Sequence, residues 1–186
     1  MSAVHNTMPV SQAEKELLLT LLGESRERFL ASFAGVSDEQ SRNRPAEGSW
    51  SVMETVEHLT IVEEVMVHRL NTARSPRTAG APNREAIFLE RMGSRSRKVK
   101  TPEGGQPNGR FANLAEAADH FRAARESAIR FVQENEDLRA TEVPHPHPLV
   151  GVVSSYEMLI AIAKHAERHA LQIEEIKNSP AFRVQG

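Results

Sequence analysis

Four stretches of the chain begin with the same helix-start signal, and this repetition constrains the fold more than any other feature of the sequence. In each stretch, a residue able to cap a helix stands three positions before a glutamate: Ser11–Glu14, Ser51–Glu54, Asn113–Glu116 and Ser154–Glu157. The capping side chain can accept a hydrogen bond from the backbone N–H of the glutamate, whose carboxylate can accept one from the N–H of the capping residue. Each signal heads an apolar run, so the sequence predicts four helices.

The spacing of apolar residues gives the extent of these helices and the fold class. The runs predict one helix each, over residues 12–34, 52–72, 114–138 and 155–178. Apolar side chains recur with a period of 3.6 residues, and no comparable stretch shows the period of two that is typical of strands. We therefore predict an all-α, antiparallel four-helix bundle. A chain of 186 residues suits one domain, with a core over residues 12–178.

The composition argues against several classes of function. The chain has 23 Lys and Arg residues against 25 Asp and Glu, and this net charge of -2 gives no reason to expect nucleic-acid binding. No apolar run approaches the roughly 20 residues of a membrane span. Residues 1–12 lack the pattern of a secretory signal, so we expect a cytoplasmic protein. Cysteine is absent, which excludes disulfides, a cysteine nucleophile and cysteine-bound metals.

Two histidines on the fourth predicted helix carry the clearest functional signal. His165 and His169 are four residues apart, so they lie about 40° apart around a helix, in the same sector as the apolar residues Met158 and Ile162. Both imidazoles therefore point into the bundle, where burial costs free energy unless their nitrogens find partners. Two histidines at this spacing can bind the same metal ion.

His58 on the second predicted helix is the third candidate ligand. It lies between Val62 and Val65 on the helical wheel, on the flank of the apolar face. Three inward histidines leave coordination positions open, which is typical of catalytic metal sites, because structural sites use four protein ligands. We predict that His58, His165 and His169 bind a divalent ion, with zinc or nickel preferred. For each histidine taken alone, the alternative is an ordinary buried side chain with satisfied nitrogens.

Other side chains have weaker claims on this site. Glu54 lies one helical turn before the candidate ligand on its helix, but its position in the helix-start signal favours a capping role. Gln172 shares the inward sector of the fourth helix and could donate a hydrogen bond to a ligand. Trp50 is expected to pack where the chain enters the second helix, and Tyr156 could reach a pocket mouth. The histidines left out of the site are His5, His68, His120, His145 and His147.

The long connector at residues 69–110 is unusually basic. It holds ten Lys and Arg residues against three glutamates, Glu85, Glu90 and Glu103. Its middle, residues 84–92, could form one short helix. Loops of this length are usually functional or mobile. Two interpretations stay open: a solvated surface connector, or a flap that attracts an anionic substrate through Arg95, Arg97, Lys98 and Lys100.

Two motifs in the chain resemble those of the DinB/YfiT-like metalloprotein superfamily. The matching residues, in order, are Trp50-Ser51, Glu54 and His58-Leu59, then His147-Pro148, Gly151, Glu157-Met158-Leu159, His165, Arg168-His169 and Gln172-Ile173. The resemblance extends over residues 17–177. It implies a four-helix bundle in which three histidines bind a divalent metal. Matched residue by residue, these ligands fall on His58, His165 and His169.

The resemblance implies a metal-dependent enzyme but does not single out one reaction. Some relatives transfer low-molecular-weight thiols such as bacillithiol or mycothiol onto electrophiles, and others are described as metal-dependent hydrolases. We prefer thiol S-transfer with a thiol co-substrate, which the absence of cysteine allows. A hydrolase and a non-enzymatic, stress-related metal-binding protein are the alternatives. We expect a small-molecule substrate, no nucleic-acid or membrane partner, and a possible homodimer formed through spare helix faces.

Overall fold

Four long helices form the body of the protein. The structure is a computed structural model that describes residues 9–96, 100–148 and 150–183. All helices in chain order are α1 (Gln12–Ser32), α2 (Asp38–Ser41), α3 (Val52–Thr72), α4 (Glu85–Ile87), α5 (Leu114–Glu134), α6 (Ser155–Lys177) and α7 (Pro180–Arg183). The predicted four-helix bundle is confirmed, with α1, α3, α5 and α6 as its members. The largest error in a boundary is at α5, which ends at Glu134 because the backbone of Asn135 is extended.

The helix-start signals behave as predicted at three of the four long helices. Both hydrogen bonds of the capping box are present at Ser11, Ser51 and Ser154. At α5 the Asn113 side chain accepts from the N–H of Glu116 at 2.8 Å, but the Glu116 carboxylate accepts from Ala112 N–H rather than from the capping residue. The start of α5 is therefore capped by one of the two expected bonds.

A small antiparallel sheet is the element that the sequence pattern did not predict. β1 (Ser75–Pro76) pairs with β2 (Thr141–Pro144), and β2 pairs with β3 (Val152–Ser154) to form a hairpin that leads directly into α6. Strands of two to four residues are too short to establish a period of two, so periodicity could not reveal them. The proline- and histidine-rich stretch after Pro144 is the turn of this hairpin, closed by His145 N–H donating to Gly151 O at 2.8 Å.

The core between the helices is largely apolar but contains a buried ion pair. Arg125 of α5 and Glu63 of α3 are almost completely buried and form two hydrogen bonds of 2.6 and 2.8 Å. Arg125 also donates to Leu22 O and Ser25 Oγ of α1, so three helices share one guanidinium. Among the described residues, no helix combines the length and the apolar character needed to cross a membrane.

The basic connector packs on the bundle rather than standing away from it. Its middle is helical, as predicted: α4 continues into a π-helical turn, Phe88–Met92, and a 3₁₀ turn, Glu103–Gly105, follows later. Gly93 lies directly on α6, because a Cβ atom placed there would be 3.3 Å from Oε2 of Glu167. The connector therefore follows α6 towards the candidate ligands. Two residues of the predicted flap, Arg97 and Lys98, lie outside the described part of the chain.

Candidate metal centre

The three histidines selected by helical phase meet in one cluster inside the bundle. One ligand nitrogen from each of His58, His165 and His169 lies within 4.8 Å of the other two, and the Nε2 atoms of His165 and His169 are 3.0 Å apart. The ring of His58 is centred 4.7 Å from that of His169 and 5.3 Å from that of His165. Two nitrogens that bind one tetrahedral ion at about 2.0–2.1 Å are separated by about 3.3 Å. The 3.0 Å separation of the two Nε2 atoms is thus close to that of two nitrogens that bind the same ion.

His58 is held in place by the connector. Its Nδ1 lies 2.6 Å from the carbonyl oxygen of Gly105. Because a carbonyl can only accept, Nδ1 carries the proton and the lone pair of Nε2 is left for a metal. A side chain at position 105 would crowd this contact, since a Cβ atom there would be 3.2 Å from Val62 Cγ2 and 3.6 Å from the His58 ring. Glycine therefore suits this close approach.

His169 has an equivalent partner on its own helix. Its Nδ1 lies 3.0 Å from Oε1 of Gln172, which also accepts from Nη1 of Arg95 at 3.0 Å. Arg95 comes from the connector and is fixed by Glu175, whose Oε2 is 2.8 Å from Nη2. Gln172 supports a candidate ligand, as predicted, but as an acceptor rather than a donor. The acceptor again leaves Nε2 of His169 unprotonated and directed towards the cluster.

Burial keeps the three imidazoles neutral. His58 and His169 are each only 4% exposed, and His165 is half-buried. Burial lowers the pKa of His58 to about 4. It also holds the pKa values of His165 and His169 well below the ordinary histidine value, and the charge of the neighbouring imidazoles adds to this effect. All three side chains are therefore in the neutral state, with one free lone pair each, that metal binding requires at neutral pH.

The surroundings of the cluster are positively charged on the α6 side. Arg168 lies between the two histidines of α6 in sequence, and burial together with the nearby Arg95 guanidinium lowers its pKa. Among the described residues, the cluster itself contains three imidazoles and no carboxylate. Because the Glu175 carboxylate pairs with Arg95, the two guanidinium groups leave one positive charge in excess at this side.

The structure settles the roles of the other predicted residues. Glu54 caps α3 through a 2.8 Å bond from Ser51 N–H and also binds Arg44, so the capping interpretation is confirmed. The Trp50 ring is centred 4.7 Å from that of His58, which it packs against at the entry to α3. The pocket-mouth role of Tyr156 is wrong, because it is 2% exposed, lies under the Arg139 guanidinium and precedes His165 by about 14 Å along α6.

Two contacts at the site could not be predicted from the sequence. Gly105 stands in a Gly-Gly pair of a loop, and nothing in that pattern indicates that its carbonyl meets an imidazole 47 residues away in the chain. Arg95 belongs to the predicted basic flap, but the sequence does not indicate its contact with Gln172. Both depend on how the connector folds back on α3 and α6, which local periodicity does not describe.

Comparison with known proteins supports this assignment of fold. The chain is 26% identical to the uncharacterized protein YuaE of Bacillus subtilis (strain 168) over 164 residues, which cover 86% of this chain and 96% of YuaE. Its structure is similar to that of YfiT from Bacillus subtilis, described as a probable metal-dependent hydrolase with an unusual four-helix bundle topology. That match has a TM-score of 0.59 and 15% identity, and it covers 90% of this chain and 88% of YfiT. At this identity it shows the fold alone.

The match to a family extends over most of the chain. A model of the DinB superfamily matches residues 21–173, a range that includes the four long helices in large part and all three clustered histidines. This chain belongs to the DinB superfamily.

Proposed function

We propose that His58, His165 and His169 bind one divalent metal ion and that the protein is a metal-dependent enzyme. The observation that carries the proposal is the direction of the lone pairs. Gly105 and Gln172 accept from the Nδ1 atoms of two of the histidines, which leaves unprotonated Nε2 atoms in a buried cluster. These two nitrogens are grouped with Nε2 of His165, and one ion would satisfy all three. Zinc and nickel both suit three imidazoles.

The reaction that we infer is transfer of a low-molecular-weight thiol to an electrophile. A divalent ion held by three protein ligands keeps coordination positions open and lowers the pKa of a thiol or water molecule that binds there. A free thiol has a pKa of about 8.5, whereas that of water is 15.7. Because no carboxylate belongs to the cluster among the described residues, activation of a thiol demands less of this site than activation of water.

The positive side of the centre suggests what kind of thiol it takes. Arg95 is tied to the ligand His169 through Gln172, and Arg168 lies one residue before that ligand. The two guanidinium groups lie close enough for one to lower the pKa of the other. A thiol that carries carboxylates would be attracted to this side, and the chain's residues would orient it with its sulfur towards the three imidazoles.

Metal-dependent hydrolysis is the second candidate. It is favoured by the structural similarity to YfiT, which is described as a probable metal-dependent hydrolase. Water attack would still require a general base within hydrogen-bond reach of the nucleophile. The nearest candidate from the sequence, Glu54, is occupied by Ser51 and Arg44. We therefore place hydrolysis behind thiol transfer.

Metal content and two assays distinguish these possibilities. The metal bound per chain is measured after loading with zinc or nickel, in the parent and in His58→Ala. His68→Ala is the matched control because His68 is exposed on the same helix. Consumption of bacillithiol or mycothiol with monochlorobimane, and hydrolysis of p-nitrophenyl acetate, are then followed with and without EDTA. Metal-dependent thiol consumption supports the proposal. Metal-dependent ester hydrolysis alone supports the second candidate, and metal binding without either activity indicates a binding protein.

A further inference from the structure

A series of hydrogen bonds leads from the basic connector into the three-histidine cluster. Nη1 of Arg95 lies 3.0 Å from Oε1 of Gln172, and the same oxygen lies 3.0 Å from Nδ1 of His169. On the other side of that ring, Nε2 of His169 lies 3.0 Å from Nε2 of His165. Three contacts in series therefore join a partly buried arginine of the connector to two of the candidate ligands.

This series of hydrogen bonds could run in either of two directions, because an amide and a neutral imidazole each have one donor side and one acceptor side. In the first direction the Gln172 oxygen faces His169, whose Nδ1 carries the proton and whose Nε2 accepts from His165. In the second direction the amide is turned over, its NH₂ group donates to Nδ1 of His169, and Nε2 of that ring carries the proton. Only the first direction directs the lone pair of His169 into the cluster.

Arg95 decides between the two directions. A guanidinium has donors and no acceptor, so the Gln172 atom that faces Nη1 of Arg95 must be the oxygen. In the second direction the NH₂ group of the amide would face Arg95, and two donors would meet without an acceptor, which costs free energy in a partly buried place. The arginine at one end of the series therefore determines which nitrogen of His169 carries the proton.

Arg95 is itself held in position by α6. Its Nε and Nη2 atoms lie 3.2 and 2.8 Å from Oε2 of Glu175, which follows Gln172 by three residues on the same helix. On the connector, the N–H of Ser96 donates to Oγ of Ser94 at 3.2 Å, which forms a local turn with Arg95 between the two serines. The guanidinium thus bridges two side chains about one helical turn apart, and this bridge keeps Nη1 on the amide oxygen.

We propose that Arg95 is a positioning residue of the metal centre, which orients the Gln172 amide and thereby keeps His169 in the tautomer that binds a metal ion. The inference rests on the proposed function, because it concerns how the chain prepares one ligand for the ion. It also makes the connector and the ion mutually dependent. An ion bound by His169 stabilises the docked connector by the same free energy that the docked connector adds to metal binding.

The direction of change in metal affinity separates this role from simple electrostatics. Arg95→Met removes a positive charge beside a cation site, so electrostatics alone predicts tighter binding of Zn²⁺. Loss of the amide's orientation predicts the opposite, and we expect Zn²⁺ to bind about tenfold more weakly, as when other partners of metal-binding histidines are removed. Arg95→Lys keeps a donor and should recover most of the affinity. Isothermal titration measures all three proteins.

The matched control for this titration is Arg91→Met, which removes an exposed charge from the same connector. Its affinity for Zn²⁺ should stay close to that of the parent. Unchanged or tighter binding of Zn²⁺ by Arg95→Met would overturn the inference, and so would equal weakening in Arg95→Met and Arg91→Met.

A carboxylate at position 172 removes the need for orientation. Both of its oxygens accept, so Gln172→Glu presents an acceptor to Nδ1 of His169 whichever way the side chain is turned. In this background Arg95→Met should no longer weaken the binding of Zn²⁺. Equal weakening by Arg95→Met in the parent and in the Gln172→Glu background would show that Arg95 acts on the centre by another route, and would overturn the inference.

The tautomer of His169 can be measured in protein stripped of metal with EDTA. Proton–nitrogen correlation spectra of ¹⁵N-labelled histidine rings distinguish the two neutral tautomers, and the signals of His169 are assigned by their absence from His169→Gln. We expect the parent to carry the proton on Nδ1 and Arg95→Met to show a measurable fraction with the proton on Nε2. A proton on Nε2 in the parent, or on Nδ1 alone in both proteins, would overturn the inference.

Failure of the parent to bind Zn²⁺ is a different result. It refutes the proposed function, whereas the spectra of the metal-stripped proteins still decide whether Arg95 sets the tautomer of His169.

Discussion

The carbonyl oxygen of Gly105 lies 2.6 Å from Nδ1 of His58, and this contact makes the long basic connector part of the candidate metal centre. A second contact has the same effect at the other side, where Arg95 shares Oε1 of Gln172 with His169. Partners of this kind fix the tautomer and orientation of metal-binding histidines, and their removal typically weakens metal binding 10–100-fold. The connector is therefore not a solvated loop remote from the site.

Gly105→Ala should weaken metal binding by about tenfold. The added Cβ atom would be 3.2 Å from both Val62 Cγ2 and Thr101 Cγ2, and relief of this crowding by a shift of the loop would disturb the contact between the Gly105 carbonyl and His58. Isothermal titration with Zn²⁺ measures the effect. Gly104→Ala is the control, because nothing lies within 4 Å of a Cβ atom at that position. An equal change in the two variants would show that the Gly105 contact does not support the centre.

Arg95→Gln should raise the KM for an anionic thiol several-fold and reduce the dependence of that KM on salt, because one positive charge beside the centre is lost. The KM for the electrophile should stay close to that of the parent. Arg91→Gln removes an exposed charge from the same connector and serves as the control. Parallel changes in both variants would mean that the connector acts through its overall charge rather than through the contact of Arg95 with Gln172.

The metal-free protein should lose stability as the pH falls from about 6.5 towards 4. The pKa of His58 is 6.5 when unperturbed and about 4 in the folded chain, so below pH 6.5 the unfolded chain binds more protons than the folded one. For His58 alone, the free energy of unfolding falls by about 3 kcal/mol once both states are fully protonated. Urea denaturation across this range should show a shallower pH dependence for His58→Phe than for His68→Phe. Identical slopes would exclude His58 as the source.

Glu63→Gln should destabilise the protein by about 3–5 kcal/mol, because it leaves the buried Arg125 guanidinium without its counter-charge. The double variant Glu63→Leu/Arg125→Leu should be more stable than this single variant, since it removes both charges together. Thermal or urea denaturation of the three proteins checks this order. A double variant less stable than Glu63→Gln would show that the ion pair contributes more than the burial of its two charges costs.

The helices and the histidine cluster could be predicted because both depend on local spacing. A capping residue before a glutamate locates each long helix within a few residues, and four-residue spacing with helical phase places His165 and His169 inside the bundle. Contacts that join distant segments could not be predicted in this way. The carbonyl of Gly105 has no side-chain signature, and Tyr156, which has the amphipathic character of a pocket residue, is instead buried under Arg139. The short hairpin strands are likewise fixed by pairing between segments.

The metal content of His165→Ala tests the central proposal most directly. His165 places its Nε2 only 3.0 Å from that of His169, so its removal leaves two imidazoles, which are too few for tight retention of an ion. The parent and His68→Ala, loaded with Zn²⁺ and desalted, should each retain about one ion per chain. We expect His165→Ala to retain almost none while its circular dichroism stays that of a folded bundle. One tightly held ion per chain in folded His165→Ala would contradict the three-histidine centre.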